Sequence, residues 1–230
     1  MDSIMGLSSK DQAIRFLNGF WTEAGEKAEE IYKQHQKFLE LDRLQYNALP
    51  EAKKAEEYTE SKVLDEFWSH KFLESLGKTL TAMEFRAEFK KIDANNDKKM
   101  SIVEFLLYDY KQTPEELLKR KVGNMSPELL AALAAYDEVS VELKKLEKEK
   151  DRLRKESALP GVKGKTAAAQ LAQLEQSELP PDVKKAIIKA ESAVNRAQKK
   201  SAGGAGPTPG STWWIQRDVE ELKKYKPKPK

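Results

Sequence analysis

The 230-residue sequence contains no cysteine, which excludes a disulfide framework and is typical of cytosolic proteins. It has no apolar run of about 18 residues and no leader peptide, since the stretch before Ser8 is too short, so we expect neither a membrane span nor export. No glycine loop for nucleotide phosphates and no catalytic constellation is present. The two histidines, His35 and His70, have no nearby nucleophile and no metal-ligand spacing. We therefore expect a protein of the cytoplasm that is not an enzyme.

Charge is unevenly distributed along the chain. Residues 1–120 carry 19 Lys and Arg against 23 Asp and Glu, and residues 121–230 carry 22 against 15, which gives net charges of −4 and +7. Charged residues make up 34% of the chain and hydrophobic residues 39%, which is lean for a broad core and favours elongated helical architecture. The asymmetry indicates an acidic half joined to a basic half that suits an anionic partner.

Side-chain oxygens recur with EF-hand spacing over residues 93–104. A calcium ion (Ca2+) takes six to eight oxygen ligands. The loop can supply them from Asp93, Asn95, Asp97, the Lys99 carbonyl, Ser101 directly or through water, and both oxygens of Glu104. A polar turn without metal would explain the Asn and Asp residues but not a glutamate at the twelfth position. The sequence therefore predicts a calcium site.

Lys98 occupies the sixth position of this loop, where EF-hands have glycine because the chain turns with positive φ. A side chain there costs about 1 kcal/mol. We expect calcium binding to be weakened rather than abolished, with a dissociation constant of about 10⁻⁵ M.

EF-hands fold in pairs, so a second turn is expected upstream. Alignment of residues 58–63 with residues 100–105 places a degenerate loop at residues 51–62. Lysines 53 and 62 then stand at its third and twelfth positions, and a lysine cannot donate an oxygen to calcium. The alternative is a plain helical connection, and the ligand pattern does not decide between the two.

Helical spacing of apolar residues predicts an all-α fold. One long amphipathic helix is expected from Ile14 through Phe38, and another from Val63 to Gly77. From Ser126 to Glu156, apolar residues alternate at spacings of three and four, which predicts a coiled-coil seam or a helical hairpin with Lys150 in the seam. The helix that follows Pro180 and Pro181 should fold back onto it through a short helix.

These elements predict four regions. Residues 1–122 form an EF-hand lobe, residues 123–200 a long helical hairpin, residues 201–211 a flexible linker, and residues 212–230 a C-terminal helix with a basic tail. The C-terminal helix opens with Trp213 and Trp214, two large apolar side chains that bury against this chain or anchor a partner. We favour docking onto this chain, because a permanently exposed pair would promote aggregation.

The long helix carries a row of basic residues opposite its apolar seam, which we call the basic stripe. It comprises Lys144, Lys145, Lys148, Arg152 and Lys155. The simplest interpretation is a solvated helix face. We do not expect nucleic acid as the partner, because the stripe lacks interleaved aromatics and the region is not strongly basic.

The sequence resembles the calcium-regulated actin-bundling proteins of amoeboid and other protists. The resemblance lies in the 93–104 loop with the segment that follows it, in a Leu-Pro-Gly-Val-Lys-Gly turn, and in a double-tryptophan ending. The segments concerned are residues 16–23, 29–32, 101–111, 159–164, 190–194 and 213–221.

That resemblance implies a cytosolic, cytoskeletal protein that cross-links actin filaments and whose bundling is reduced by calcium. The strong filament contact of the family lies in the C-terminal half, which favours the basic stripe as the actin-binding surface. A second filament contact would come from the N-terminal lobe or from a second copy of the chain through self-association. The alternative is an EF-hand calcium sensor that captures a helical partner through its coiled-coil surface, and passive calcium buffering is a weaker third.

Overall fold

The computed structural model describes residues 1–55, 57–177, 179–201 and 208–222. The chain forms two compact units, Met1–Asn124 with Pro207–Trp214, and Met125–Gly206 with Ile215–Lys230. The predicted all-α class is confirmed, because helices make up nearly all of the regular structure in the described residues. No helix among these residues is both long enough and apolar enough to cross a bilayer.

The first unit is built from eight helices of the described residues and two short strands. In chain order they are α1 (Asp2–Met5), α2 (Ser9–Gly19), α3 (Trp21–Ala24), α4 (Ala28–Ala48), β1 (Val63–Asp65), α5 (Glu66–Ser75), α6 (Ala82–Ile92), β2 (Lys99–Ser101), α7 (Ile102–Asp109) and α8 (Pro114–Lys119). The helices pack around one apolar core that includes Phe16, Phe38 and Phe105, each without solvent exposure.

The predicted single N-terminal helix is wrong, since the chain breaks between α2 and α4. Phe20 leaves the helical conformation with φ −120° and ψ 33°. Its fully buried ring lies 5.1 Å from that of Phe16. Gly25 lies under the Trp21 ring, and an added Cβ would come within 2.9 Å of it. Burial of Phe20 therefore decides the break, which apolar spacing alone does not reveal.

The helix predicted to start at Val63 begins at Glu66, because residues 63–65 form β1 and pair antiparallel with β2. Leu64 lies opposite Met100, the eighth residue of the 93–104 loop. The predicted position of the degenerate loop at 51–62 is therefore wrong by six residues, and the turn paired with residues 93–104 spans residues 57–68. Lys62 then holds its sixth position with φ 68°, and Lys98 holds the matching position with φ 62°.

The start of the last helix, α12 (Pro209–Leu222), is docked in the first unit. The Asn18 amide donates to the Ser211 hydroxyl (2.8 Å) and accepts from the Ser211 N–H (3.1 Å). Trp214 is 1% exposed, and its ring lies 5.2 Å from the Tyr32 ring and 5.3 Å from the His35 ring. The tryptophan pair thus docks onto this chain, as favoured above.

The second unit contains α9 (Pro127–Ser157), α10 (Val162–Gln176) and α11 (Pro181–Ser201). The predicted start of the long helix is confirmed, since Ser126 accepts from the Leu129 N–H as its N-cap. Helix α9 packs against both α10 and α11. The main apolar cluster of this unit comprises Leu129, Ala132, Ala135, Val139, Val183, Ile187, Ala190, Val194, Ile215, Val219 and Leu222.

The predicted linker at 201–211 lies partly outside the described residues, which omit 202–207. Ser201 is the last residue of α11, and Pro209 begins α12, so residues 209–211 are helical. The predicted basic tail beyond Leu222 also lies outside the described residues.

Candidate functional site

The 93–104 loop joins α6 to α7, and each of the two helices begins with the same local device. Thr81 and Glu84 form a capping box at the start of α6, and Ser101 and Glu104 form one at the start of α7. Asp93 ends α6 as its C-cap. Local capping therefore fixes both ends of the loop at the first, ninth and twelfth positions of the EF-hand pattern.

The first half of the loop is folded around its own side-chain oxygens. Asp93 accepts from the Asp97 N–H through Oδ1 (3.1 Å) and from the Lys98 N–H through Oδ2 (2.9 Å). Asn95 Oδ1 accepts from the Asp97 N–H (3.1 Å), and Asp97 Oδ1 accepts from the Lys99 N–H (2.8 Å). The predicted ligands thus share one compact turn.

Glu104 closes the loop from inside the core. Its side chain is 1% exposed. Its carboxylate accepts from the Ala94 N–H (3.1 Å), the Ser101 N–H (2.9 Å) and the Ser101 hydroxyl (2.8 Å). Burial raises the pKa of Glu104, an effect that its hydrogen bonds to Ser101 and Ala94 oppose and the nearby Asp97 charge reinforces. Glu104 is thus a buried carboxylate held by N–H and O–H donors of the loop, and no basic side chain in the described part of the chain pairs with it.

The donor set fits calcium in chemistry, because every predicted ligand supplies a hard oxygen. In the described conformation these oxygens hold backbone N–H groups, and no three His, Asp or Glu side chains among the described residues are already gathered as a metal cluster. Lys98 has the positive φ of 62° that the sequence predicts, so the turn forms despite the lysine.

The paired turn at 57–68 cannot hold calcium in the same way. Its twelfth residue is Trp68, whose indole has no acceptor oxygen. Its fold depends on Asp42 of α4, which accepts hydrogen bonds from the Tyr58 hydroxyl (2.6 Å), the Ser61 N–H (3.2 Å) and the Ser61 hydroxyl. Sequence reasoning missed Asp42, because it lies on a different element from the turn that it holds.

The residues of the basic stripe are all exposed on α9, as predicted. They are not uniformly free, however. Lys145 pairs with Glu142 (2.7 Å), and Arg152 pairs with Glu149 (2.6 Å) and Glu156 (2.9 Å).

The acidic residues of α9 whose partners the structure shows pair mainly within their own helix rather than with the second long helix. Glu142, Glu149 and Glu156 pair with bases three or four residues away on α9 itself. Glu147 likewise pairs with the seam residue Lys150 (3.3 Å). A link from α9 to α11 is instead made by Glu138 and Lys189 (2.8 Å).

Known proteins resemble this chain along nearly its whole length. A family model described as F actin bundling C terminal matches residues 99–221. A calcium-regulated actin-bundling protein of Dictyostelium discoideum is 33% identical, in a match covering 99% of this chain and 88% of that protein. The crystal structure of a 34 kDa F-actin bundling protein from the same organism superposes with a TM-score of 0.81 at 32% identity, covering 100% of this chain and 96% of that one.

None of these three matches is to an enzyme family. The family model covers more than half of the chain, both relatives share about a third of its residues, and the solved structure also shares its fold. The chain therefore belongs to the F-actin bundling family, as its resemblance to calcium-regulated actin-bundling proteins indicates.

Proposed function

We propose that this chain cross-links actin filaments into bundles at the cytoskeleton, and that calcium binding reduces the bundling. The observation that carries the proposal is similarity to a calcium-regulated actin-bundling protein over 99% of this chain, both units included. If the chain were instead an adaptor that captures a helical partner, only its coiled-coil surface would need to resemble that protein.

The calcium arm of the proposal assigns the ion to the 93–104 loop. Asp93, Asn95, Asp97, the Lys99 carbonyl, Ser101 and Glu104 would hold it, and the ion would place positive charge beside the buried Glu104 carboxylate. Glu104 is therefore both a ligand and the residue that caps α7.

The regulated element is α7, whose start is set by the Ser101 and Glu104 capping box. Residues 102–107 are all buried, and α7 packs against α2 and α4. The Gln12 side chain of α2 accepts from the Val103 N–H (3.4 Å). A change in the Glu104 hydrogen bonds would therefore act first on the packing of α7 within the first unit.

The alternative is a route along the chain, from Leu106 and Leu107 directly to the long helix. The structure places Leu106 and Leu107 in the core of the first unit and inserts α8 before α9. The regulatory signal is therefore expected to pass through the α7 packing surface rather than along the chain.

The actin arm assigns the filament contact of the second unit to the exposed basic face of α9. Actin presents an acidic surface, and Lys144 and Lys155 of the basic stripe are exposed without a carboxylate partner in the described part of the chain. Cross-linking needs a second filament contact, which the first unit or a second copy of the chain would supply.

Sedimentation with filamentous actin tests the proposal. In chelator at moderate salt, the protein should pellet with filaments at high speed and should pull filaments down as bundles at low speed. Calcium at millimolar concentration should reduce the low-speed pellet. Absence of pelleted filaments in chelator would show that the assignment is wrong, and a low-speed pellet that grows with calcium would favour the adaptor instead.

A further inference from the structure

The turn between α9 and α10 presents two neighbouring apolar side chains to solvent. Leu159 is 54% exposed and Val162 is 80% exposed, and neither belongs to the buried apolar cluster of this unit. A single exposed leucine is ordinary in a soluble protein. Two neighbouring exposed apolar side chains at the tip of a helical unit indicate a binding site only together with a further observation.

The backbone conformation of this turn requires glycine at two positions. Gly161 has φ +92°, a conformation that costs other residues about 1 kcal/mol or more. A Cβ on Gly164 would come within 1.9 Å of the Leu159 carbonyl oxygen, so any side chain there would force the backbone apart. Glycine at both positions therefore permits the tight turn that leaves Leu159 and Val162 together on its outer surface.

Unpaired positive charge surrounds this apolar tip. Lys155, Lys163 and Lys165 are all exposed, and no carboxylate pairs with any of them among the residues that the structure describes. By contrast, Lys145 and Arg152 of the basic stripe are neutralised by glutamates of their own helix. Free charge suited to an acidic partner thus continues past the stripe into the turn.

We propose that residues 159–165, together with Lys155, form the anchor through which the second unit binds an actin filament. This inference rests on the proposed function and names the site within it. The Leu159 and Val162 side chains enter an apolar depression of the filament, and the three lysines lie against acidic residues around it. Binding hot spots have this arrangement, a desolvated apolar centre with a charged rim.

Replacement of the two apolar side chains by serine tests the centre of the anchor. The double variant Leu159→Ser, Val162→Ser changes only exposed side chains, so the fold should be retained, as circular dichroism can verify. We expect its dissociation constant for filaments, from high-speed sedimentation in chelator, to rise about tenfold or more. Leu130→Ser with Ile188→Ser is the matched control, because these residues are 53% and 58% exposed in the same unit, and its affinity should stay within about twofold of the parent.

Charge reversal tests the rim. Lys163→Glu with Lys165→Glu should weaken filament binding and reduce its dependence on salt. Lys185→Glu with Lys199→Glu is the control, because it makes the same charge change at two exposed lysines of α11 that have no partner in the described part of the chain. Equal losses from the two double variants would show that only overall charge matters, and would overturn the assignment to this turn.

The outcomes separate failure of this inference from failure of the proposed function. If the parent protein does not pellet with filaments, both are wrong. If the parent pellets and the Leu159→Ser, Val162→Ser variant pellets with equal affinity, only the anchor is wrong. Two further results would overturn the anchor alone. A change in the oligomeric state of this variant, measured by analytical ultracentrifugation without actin, would show that the apolar tip binds a second copy of the chain. Flotation of the parent but not the variant with phosphatidylserine vesicles, with filament affinity unchanged, would show that the tip binds membranes.

Discussion

Replacement of Glu104 by glutamine separates the calcium loop from the rest of the molecule. Glutamine has the same shape but carries an amide in place of one carboxylate oxygen, so it cannot accept all the hydrogen bonds from Ala94 and Ser101. Loss of one such bond costs about 1 kcal/mol. Removal of a buried charge whose pKa is raised acts in the opposite direction. In chelator the two effects should nearly cancel, and the free energy of unfolding should change by less than about 1 kcal/mol.

Calcium should stabilise the parent protein more than the Glu104→Gln variant. With a dissociation constant of about 10⁻⁵ M, calcium at about 1 mM is a hundredfold above it and stabilises the folded protein by about 2.7 kcal/mol. For a chain of this length each kcal/mol raises Tm by about 2–4 °C, so calcium should raise the parent Tm by roughly 5–11 °C. Glu104→Gln removes the ligand expected to bind through two oxygens and should lose most of that rise.

Thermal unfolding in chelator and in calcium, followed by circular dichroism, measures this effect, and low-speed sedimentation with actin gives the functional readout. Glu104→Gln should bundle filaments equally well with and without calcium. Glu84→Gln is the matched control, because Glu84 occupies the same capping-box position at the start of α6 but lies outside the loop. A calcium-induced rise in Tm that is the same in Glu104→Gln as in the parent would refute the assignment of the site.

The pH profile in chelator adds a second readout of the same residue. Because the folded pKa of Glu104 is raised, its contribution to stability is fully present below the unfolded pKa and is lost as pH rises through the folded value. Glu104→Gln lacks this loss, so its stability relative to the parent should increase between about pH 4 and pH 7. A difference between the two proteins that is constant over this range would contradict the burial argument.

Three further predictions concern stability. Burial lowers the pKa of His35 to about 3, so its contribution to the free energy of unfolding is lost as pH falls below the unfolded pKa, by about 1.4 kcal/mol per pH unit. His35→Gln should not show this loss when its urea unfolding is compared at pH 7 and pH 5, and the same pH dependence in parent and variant would contradict the prediction. Trp214→Ala removes a ring that packs on Tyr32 and should cost about 3–5 kcal/mol in urea unfolding, whereas a cost below about 1 kcal/mol would show that this docking is weak. Gly164→Ala places a Cβ against the Leu159 carbonyl and should cost about 1–3 kcal/mol, seen as faster hydrogen exchange in residues 158–170; unchanged exchange there would count against the tight turn.

The ion pairs within α9 could have been predicted from the sequence, although the sequence analysis did not predict them. Spacing placed Lys145 and Arg152 correctly on the exposed face. The same spacing puts Glu142 and Glu149 three residues before them, where ion pairs form within a helix. Pairing at such short range is a local property, so the partial neutralisation of the stripe was predictable.

Features that depend on local chemistry could be read from the sequence without the structure. The spacing of oxygen-bearing residues from Asp93 to Glu104 gave the candidate ligands, and the sixth position of that loop predicted the positive φ of Lys98. Ser126 followed by a proline gave the start of the long helix. Each of these features is fixed by residues within a few positions of one another, so no distant contact was needed to find them.

Features that depend on contacts between distant residues became visible only in the folded chain. Strands of three residues carry too little pattern to fix a register, so the pairing of Leu64 with Met100 decided where the second turn lies. The burial of Phe20 broke the N-terminal helix, although its residues have helical spacing. Contacts of Asn18 with Ser211, 193 positions apart, assigned the start of the last helix to the first unit. Such contacts are favourable only when the whole core has formed, and no local stretch of sequence encodes them.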